Sequence, residues 1–194
     1  DINIRDIILN KIDILQIMID KFTEKEKHTK RLLRALAIGD RRIFSAFKRA
    51  HLNNGNGGGA LNKLEQNGIV TIEYSREEPA KSLNPNHKLK REIARHRISH
   101  KVLFTIPFVR FWFYFITPHL KDIKKGEYKD FYKDFKEKRY SYTSLIFEEL
   151  SELLLNYYLR DTQIISSGSY WDANVEIDIM TITTNEKTYI AECK

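Results

Sequence analysis

Two short runs near the C-terminus carry the residue types that do chemistry. One ends Glu176-Ile177-Asp178 and the other ends Glu192-Cys193-Lys194, with a polar Thr-Asn-Glu-Lys stretch at 184–187 between them. β-Branched and aromatic residues flank that stretch, which predicts a β-hairpin. In a strand, residues two apart share a face. Glu176 therefore faces with Asp178, and Glu192 faces with Lys194, while Ile177, Ile179, Ala191 and Cys193 point the other way. The hairpin brings Asp178 and Glu192 within reach of each other. Two adjacent carboxylates resist joint ionisation, and a hard divalent cation removes that penalty. Magnesium, or manganese in its place, takes one or two carboxylates and keeps room for water and a phosphate. The backbone carbonyl of Cys193 adds a neutral ligand. Lys194 then stands where it can orient an attacking water, favour its hydroxide form, or counter charge on a phosphorane. The plainer alternative is a surface ion pair between Glu192 and Lys194, worth about 0–1 kcal/mol.

The charge pattern is consistent with a phosphate substrate. Residues 1–150 hold 30 Lys+Arg and 19 Asp+Glu, a net +11, whereas residues 151–194 hold 3 and 7, a net −4. A basic body suits a polyanion such as DNA, and an acidic end suits a cation. No run approaches the ~18 uncharged apolar residues of a membrane span. The most apolar segment, "VLFTIPFVRFWFYFITP", holds Arg110 and is broken by Pro107. The charged N-terminal stretch is no signal peptide. The lone cysteine, Cys193, excludes an internal disulfide and is consistent with a reducing, cytoplasmic setting. As a nucleophile it would lie on the wrong side of the strand. The six histidines are scattered without zinc-ligand spacing.

The elements that must position this chemistry follow from periodicity. Apolar residues from Ile4 to Phe22 repeat at helical spacing, and Leu32, Leu33, Leu36 and Ala37 mark a second helix over 24–37. Gly39 stops it, and Asp40 is placed to cap a third helix in "RRIFSAFKRAHL". The glycine-rich "NNGNGGGALNKLEQNG" lacks the Lys-Ser/Thr pair of a phosphate loop. It reads as a flexible turn over 53–59 and a short helix over 59–66. "IVTIEYS" is a strand, 76–96 a polar wing, and "RISHKVLFTI" the returning strand. This order describes a winged helix-turn-helix. Arg41, Arg42, Lys48, Arg49 and Lys63 are its candidate phosphate contacts. The segment 107–118 holds six aromatics in twelve positions and reads as a buried helix rather than a base-stacking platform. A lysine-rich helix over 119–139 and an amphipathic helix over 143–159 follow.

Asp178 with Glu192-Cys193-Lys194, fourteen residues on, resembles the PD-(D/E)xK nuclease superfamily. The resemblance implies that Asp178 and Glu192 are metal ligands and Lys194 the catalytic lysine. It adds an acid from the preceding helix, here Glu148 in "SLIFEELSELLL", with Glu149 as the alternative. Glu176 has no fixed role in it. Ile177 stands where the proline of the superfamily's name would be, and many members lack that proline. A narrower likeness follows the order aromatic "IPFVRFWFYF", then "FEEL", "WDANVEIDIM" and "IAECK". Over roughly residues 30–194 this is similar to DUF234, the nuclease-like domain found at the C-terminal end of archaeal-type P-loop ATPases. Residues 1–194 hold no ATPase half, so either that half was never present or these residues are the C-terminal portion of something longer.

The expected architecture is therefore α/β. It comprises N-terminal helices with a winged helix-turn-helix (1–105), an aromatic and basic helical connector (106–140), and a restriction-endonuclease-like α/β core (141–194). That core ordinarily needs a helix and a further strand after the ExK triplet, which residues 1–194 do not supply in the usual order. Either the native chain continues or another element completes the sheet. The expected function is metal-dependent hydrolysis of DNA phosphodiesters, with a homodimer and an ATPase acting in trans as further partners. The alternative is a non-catalytic DNA-binding or partner-docking module. A third reading is an interaction protein built on the N-terminal helix.

Overall fold

The computed structural model describes residues 11–78, 88, 98–172 and 174–194. The chain divides into two compact units. One comprises Asp1–Tyr74 with Ser99–Glu137, and the other Ser75–Ile98 with Lys138–Lys194.

In the first unit, α1 (Ile12–Phe22), α2 (Lys27–Ile38), α3 (Ile43–Arg49) and α4 (Asn54–Gln66) precede an antiparallel pair, β1 (Val70–Glu73) and β2 (Lys101–Phe104). Helix α2 is the centre of the core: Leu32, Leu33, Ala35, Leu36 and Ala37 are all buried. Its apolar residues cover more than one stripe, as expected of a helix packed on several sides by α3, α4 and the aromatic segment. Asp40 does not cap α3. Its Oδ1 accepts from the Arg42 N–H at 3.2 Å in a local turn, and Arg42 itself takes the cap position. The chain at Arg41–Ile43 then runs beside β2. Val102 N–H donates to the Arg41 carbonyl and Ile43 N–H to the His100 carbonyl, each at 3.0 Å, and Arg42 bridges Lys101.

The glycine run is helical, contrary to the turn expected over 53–59. Helix α4 starts at Asn54, capped by Asn53, whose side chain accepts from the Asn56 N–H at 2.8 Å. Glycine costs a helix about 1 kcal/mol per residue relative to alanine. Burial of Ala60, Leu61 and Leu64 outweighs that cost, and one glycine is required. A Cβ on Gly57 would stand 2.7 Å from ring atoms of Phe47.

The aromatic segment is buried, as its composition predicts. Helix α5 (Pro107–Phe111) widens into a π-helical stretch, Trp112–Ile116, and continues as α6 (Thr117–Lys124). Trp112, Phe113, Phe115 and Ile116 are buried. Pro118 has no N–H and its ring would strike the carbonyl four residues back in a regular helix. The wider turn, in which Thr117 N–H donates to the Trp112 carbonyl, lets the helix pass the proline instead of ending there. The two further helices expected over 119–139 and 143–159 are replaced by the end of α6 and one continuous helix, α7 (Lys129–Tyr158). No described helix is long and apolar enough to cross a membrane.

In the second unit, β3 (Ile164–Ser166), β6 (Ile179–Thr183) and β7 (Thr188–Ala191) form an antiparallel sheet with β6 central. A separate antiparallel pair joins β4 (Tyr170–Trp171) to β5 (Glu176–Ile177). Asp172 closes the β4–β5 turn, its Oδ1 accepting from Asn174 N–H at 2.7 Å and Val175 N–H at 2.8 Å. The expected wing over 76–96 lies outside the described residues except for 76–78 and Lys88. Those first three residues belong with the C-terminal strands.

Candidate functional site

The candidate site is the open end of the β6–β7 hairpin. The turn at 184–187 holds Glu186 in the left-handed region, and Thr183 Oγ1 donates to the Lys187 carbonyl at 3.0 Å. From this turn the register runs Ile182↔Thr188, Thr181↔Tyr189, Met180↔Ile190 and Ile179↔Ala191. The paired residues end at Ile179↔Ala191, and Asp178 and Glu192 are the next residues beyond that last pair. The two chain ends are tied at this level: Cys193 N–H donates to Asp178 Oδ2 at 2.7 Å. Asp178 and Cys193 are half-buried, whereas Glu192 and Lys194 are exposed.

The expected single strand through Glu176-Ile177-Asp178 is broken. β5 ends at Ile177, β6 begins at Ile179, and Asp178 occupies the bend between them. At that point the chain exchanges one partner, β4, for two others, β3 and β7. Glu176 pairs with Trp171 in the small sheet. Glu148 and Glu149 are half-buried on α7. Among the described residues no three His, Cys, Asp or Glu side chains form a group able to hold a metal ion. Glu148 and Glu176 therefore do not join Asp178 and Glu192 in one cluster.

The donors at the hairpin end fit a hard cation in type. Asp178 and Glu192 supply two carboxylates, and the carbonyl of Cys193 lies between Glu192 and Lys194 in the chain. One Asp178 oxygen is already held by an amide, which fixes the carboxylate. Two carboxylates suffice for magnesium, which retains much of its water. The Cys193 thiol is free and half-buried.

The five basic candidates lie in the first unit. Lys48 and Arg49 are exposed in the last turn of α3, and Arg41 and Arg42 are half-buried before it. Arg49 Nη1 donates to the Ala35 carbonyl at 3.4 Å, and Arg41 adopts φ 62°. Lys63 is engaged by Glu26 and, at 3.5 Å, by Glu24. The Glu26 hydrogen bond raises the Lys63 pKa above its ordinary value and lowers that of Glu26.

Two residues of the second unit make polar contacts that the sequence reading did not single out. Arg76 gathers three backbone carbonyls of the strand connections. Tyr170 donates to Asp172 Oδ2 at 3.0 Å. Arg76 carries no sequence signal, because its partners lie some ninety or more residues away.

No curated protein and no solved structure matches the chain. The likeness expected over roughly 30–194 is found over a shorter span, beginning inside the aromatic segment and running through Lys194. Over residues 112–194 the chain matches the family DUF234, described as archaea bacterial proteins of unknown function.

Proposed function

We propose that this chain binds DNA through its N-terminal unit and hydrolyses phosphodiester bonds, with a bound divalent cation, at the end of the β6–β7 hairpin. The observation that carries the reading is the Cys193 N–H bond to Asp178, which holds Asp178 at the end of β7, beside the residue that follows Glu192. Magnesium or manganese, when bound, supplies positive charge that neutralises the phosphate. Asp178 and Glu192 would hold the cation, and the Cys193 carbonyl could add a third oxygen. Lys194 orients the attacking water and counters charge developing on the phosphate oxygens. Water oxygen forms the new bond to phosphorus, one sugar–oxygen bond to phosphorus breaks, and the departing oxygen takes up a proton. Such an arrangement is that of a restriction-endonuclease-like site.

A winged helix-turn-helix is the reading we favour for the first unit. Three helices, α2 to α4, precede the β1–β2 hairpin, and the Arg42–Lys101 bridge gives that hairpin a third, minimal strand. In this reading Lys48 and Arg42 lead the phosphate contacts. A cleavage assay on plasmid and branched DNA with magnesium or manganese tests the whole. DNA binding that survives Asp178→Ala, with no cutting by either protein at any metal concentration, would replace hydrolysis by the docking-module alternative.

A further inference from the structure

We propose that Arg76 is the positioning residue of the hairpin site: its guanidinium sets the fork at which the chain changes strand partners, and so fixes where Asp178 stands. The inference rests on the reading of Asp178, Glu192 and Lys194 as a hydrolytic site.

Asp178 lies at a divergence. On one side Glu176 and Ile177 pair with Trp171 and Tyr170, and on the other Ile179–Thr183 pair with β3 and β7. The connection between β3 and β4 passes from one sheet to the other. Gly168 makes that connection at φ 132°, a conformation L side chains rarely adopt. Its carbonyl accepts from Met180 N–H at 2.8 Å, which ties the connection to β6.

Arg76 occupies the fork. Nη2 donates to the carbonyls of Gly168 at 2.9 Å, Ser169 at 3.0 Å and Met180 at 3.1 Å, and Nη1 lies 3.3 Å from Ser166 Oγ. One guanidinium thus joins the end of β3, the β3–β4 connection and β6. Met180 is two residues from Asp178 along the strand. The segment bearing Arg76 is itself fixed: Ser75 Oγ donates to the Trp171 carbonyl, and Glu77 N–H donates to Ser75 Oγ, each at 3.1 Å.

Three carbonyls surround Nη2, whose two hydrogens are shared among them, while Nη1 reaches Ser166 Oγ, so the guanidinium serves the set from two nitrogens. A lysine ammonium can serve carbonyls at one point but not the Ser166 hydroxyl as well, and so reproduces the set only in part. Without the arginine, the Ser169 and Met180 carbonyls lose this donor and the Gly168 carbonyl keeps only Met180 N–H. The strands at the fork then shift, and the Asp178 carboxylate leaves the Cys193 amide.

Amide hydrogen exchange by NMR, paired with cleavage kinetics, tests this in the full chain. In Arg76→Gln the Met180 and Cys193 amides should exchange about tenfold faster, while amides near the 184–187 turn keep their protection. Turnover should fall about 10–100-fold, the scale for supporting residues around a metal site, with KM nearly unchanged. Arg76→Lys should give the same pattern at smaller amplitude, and it carries the test if the glutamine variant does not fold. Unchanged exchange at Cys193, or a uniform rise across the unit, overturns the proposal. If the wild type does not cut, hydrolysis fails as a reading, and the exchange data alone still decide whether Arg76 places Asp178.

Discussion

Asp178 Oδ2 accepts the backbone N–H of Cys193 at 2.7 Å, across the open end of the β6–β7 hairpin. This bond separates a structural role of Asp178 from the proposed one. As an acceptor it closes the hairpin, and in the proposed site its charge would hold a cation. Asp178→Asn retains an acceptor oxygen and should fold with little loss of stability. Asp178→Ala should cost about 1–2 kcal/mol, because the Cys193 amide loses its partner. Both should reduce cleavage by about two to three orders of magnitude, the scale for removing one group that stabilises charge at a reacting centre. Denaturant melts read beside cleavage rates separate the two roles.

The glycines of α4 should respond in opposite directions. Gly57→Ala puts a methyl 2.7 Å from the Phe47 ring and should destabilise by about 1–3 kcal/mol. A Cβ on Gly58 or Gly59 meets nothing within 4 Å. Alanine at either site should stabilise the helix by about 0.5–1 kcal/mol. Thermal melts of the three single variants check this.

Lys48 and Lys63 should differ as DNA contacts. Lys63 must leave Glu26 and Glu24 before it reaches a phosphate, whereas Lys48 is exposed at the end of α3. Lys48→Ala should lower the slope of log affinity against log salt by about one. Lys63→Ala should lower it by less, and Glu26→Gln should strengthen binding by releasing Lys63. Titrations at several salt concentrations measure all three.

Tyr170 should ionise later than an ordinary tyrosine. Its hydrogen bond to Asp172 is the main cause, followed by burial and the negative charges of Asp172 and Glu77, with Arg76 opposing. A folded pKa above the unfolded value means that the native state keeps its proton while the unfolded state loses it. The resulting stabilisation is complete below about pH 10 and is lost as pH rises through the raised folded value. Wild-type stability should therefore fall more steeply above about pH 10 than that of Tyr170→Phe. Chemical denaturation across that range measures the difference.

The sequence made the hairpin legible because two local signals agree there. Period-two alternation surrounds a turn-forming stretch at 184–187, and together they set Ile179–Ile182 against Thr188–Ala191. Helix α2 was legible for a similar reason, its apolar residues recurring at helical spacing, whereas α3 was expected from an Asp40 cap that Asp40 does not supply. The start of α4 was not, since glycine propensity points away from helix while Asn53 and the packing of Gly57 on Phe47 point toward it. The break at Asp178 depends on Glu176 and Ile177 finding Trp171 and Tyr170, a choice no local pattern announces. The same holds for Arg76, whose partners lie some ninety or more residues away. Pro118 was misleading as a helix end, because a π-helical turn absorbs it.

Hydrolysis at the hairpin end is tested most directly by DNA cleavage with magnesium or manganese by the wild type, Asp178→Ala and Lys194→Ala, with DNA binding followed in parallel. The wild type should cut only with metal, and both substitutions should abolish cutting while binding persists. Metal-dependent cutting that survives both substitutions, or binding without cutting by the wild type, would rule out hydrolysis at this site.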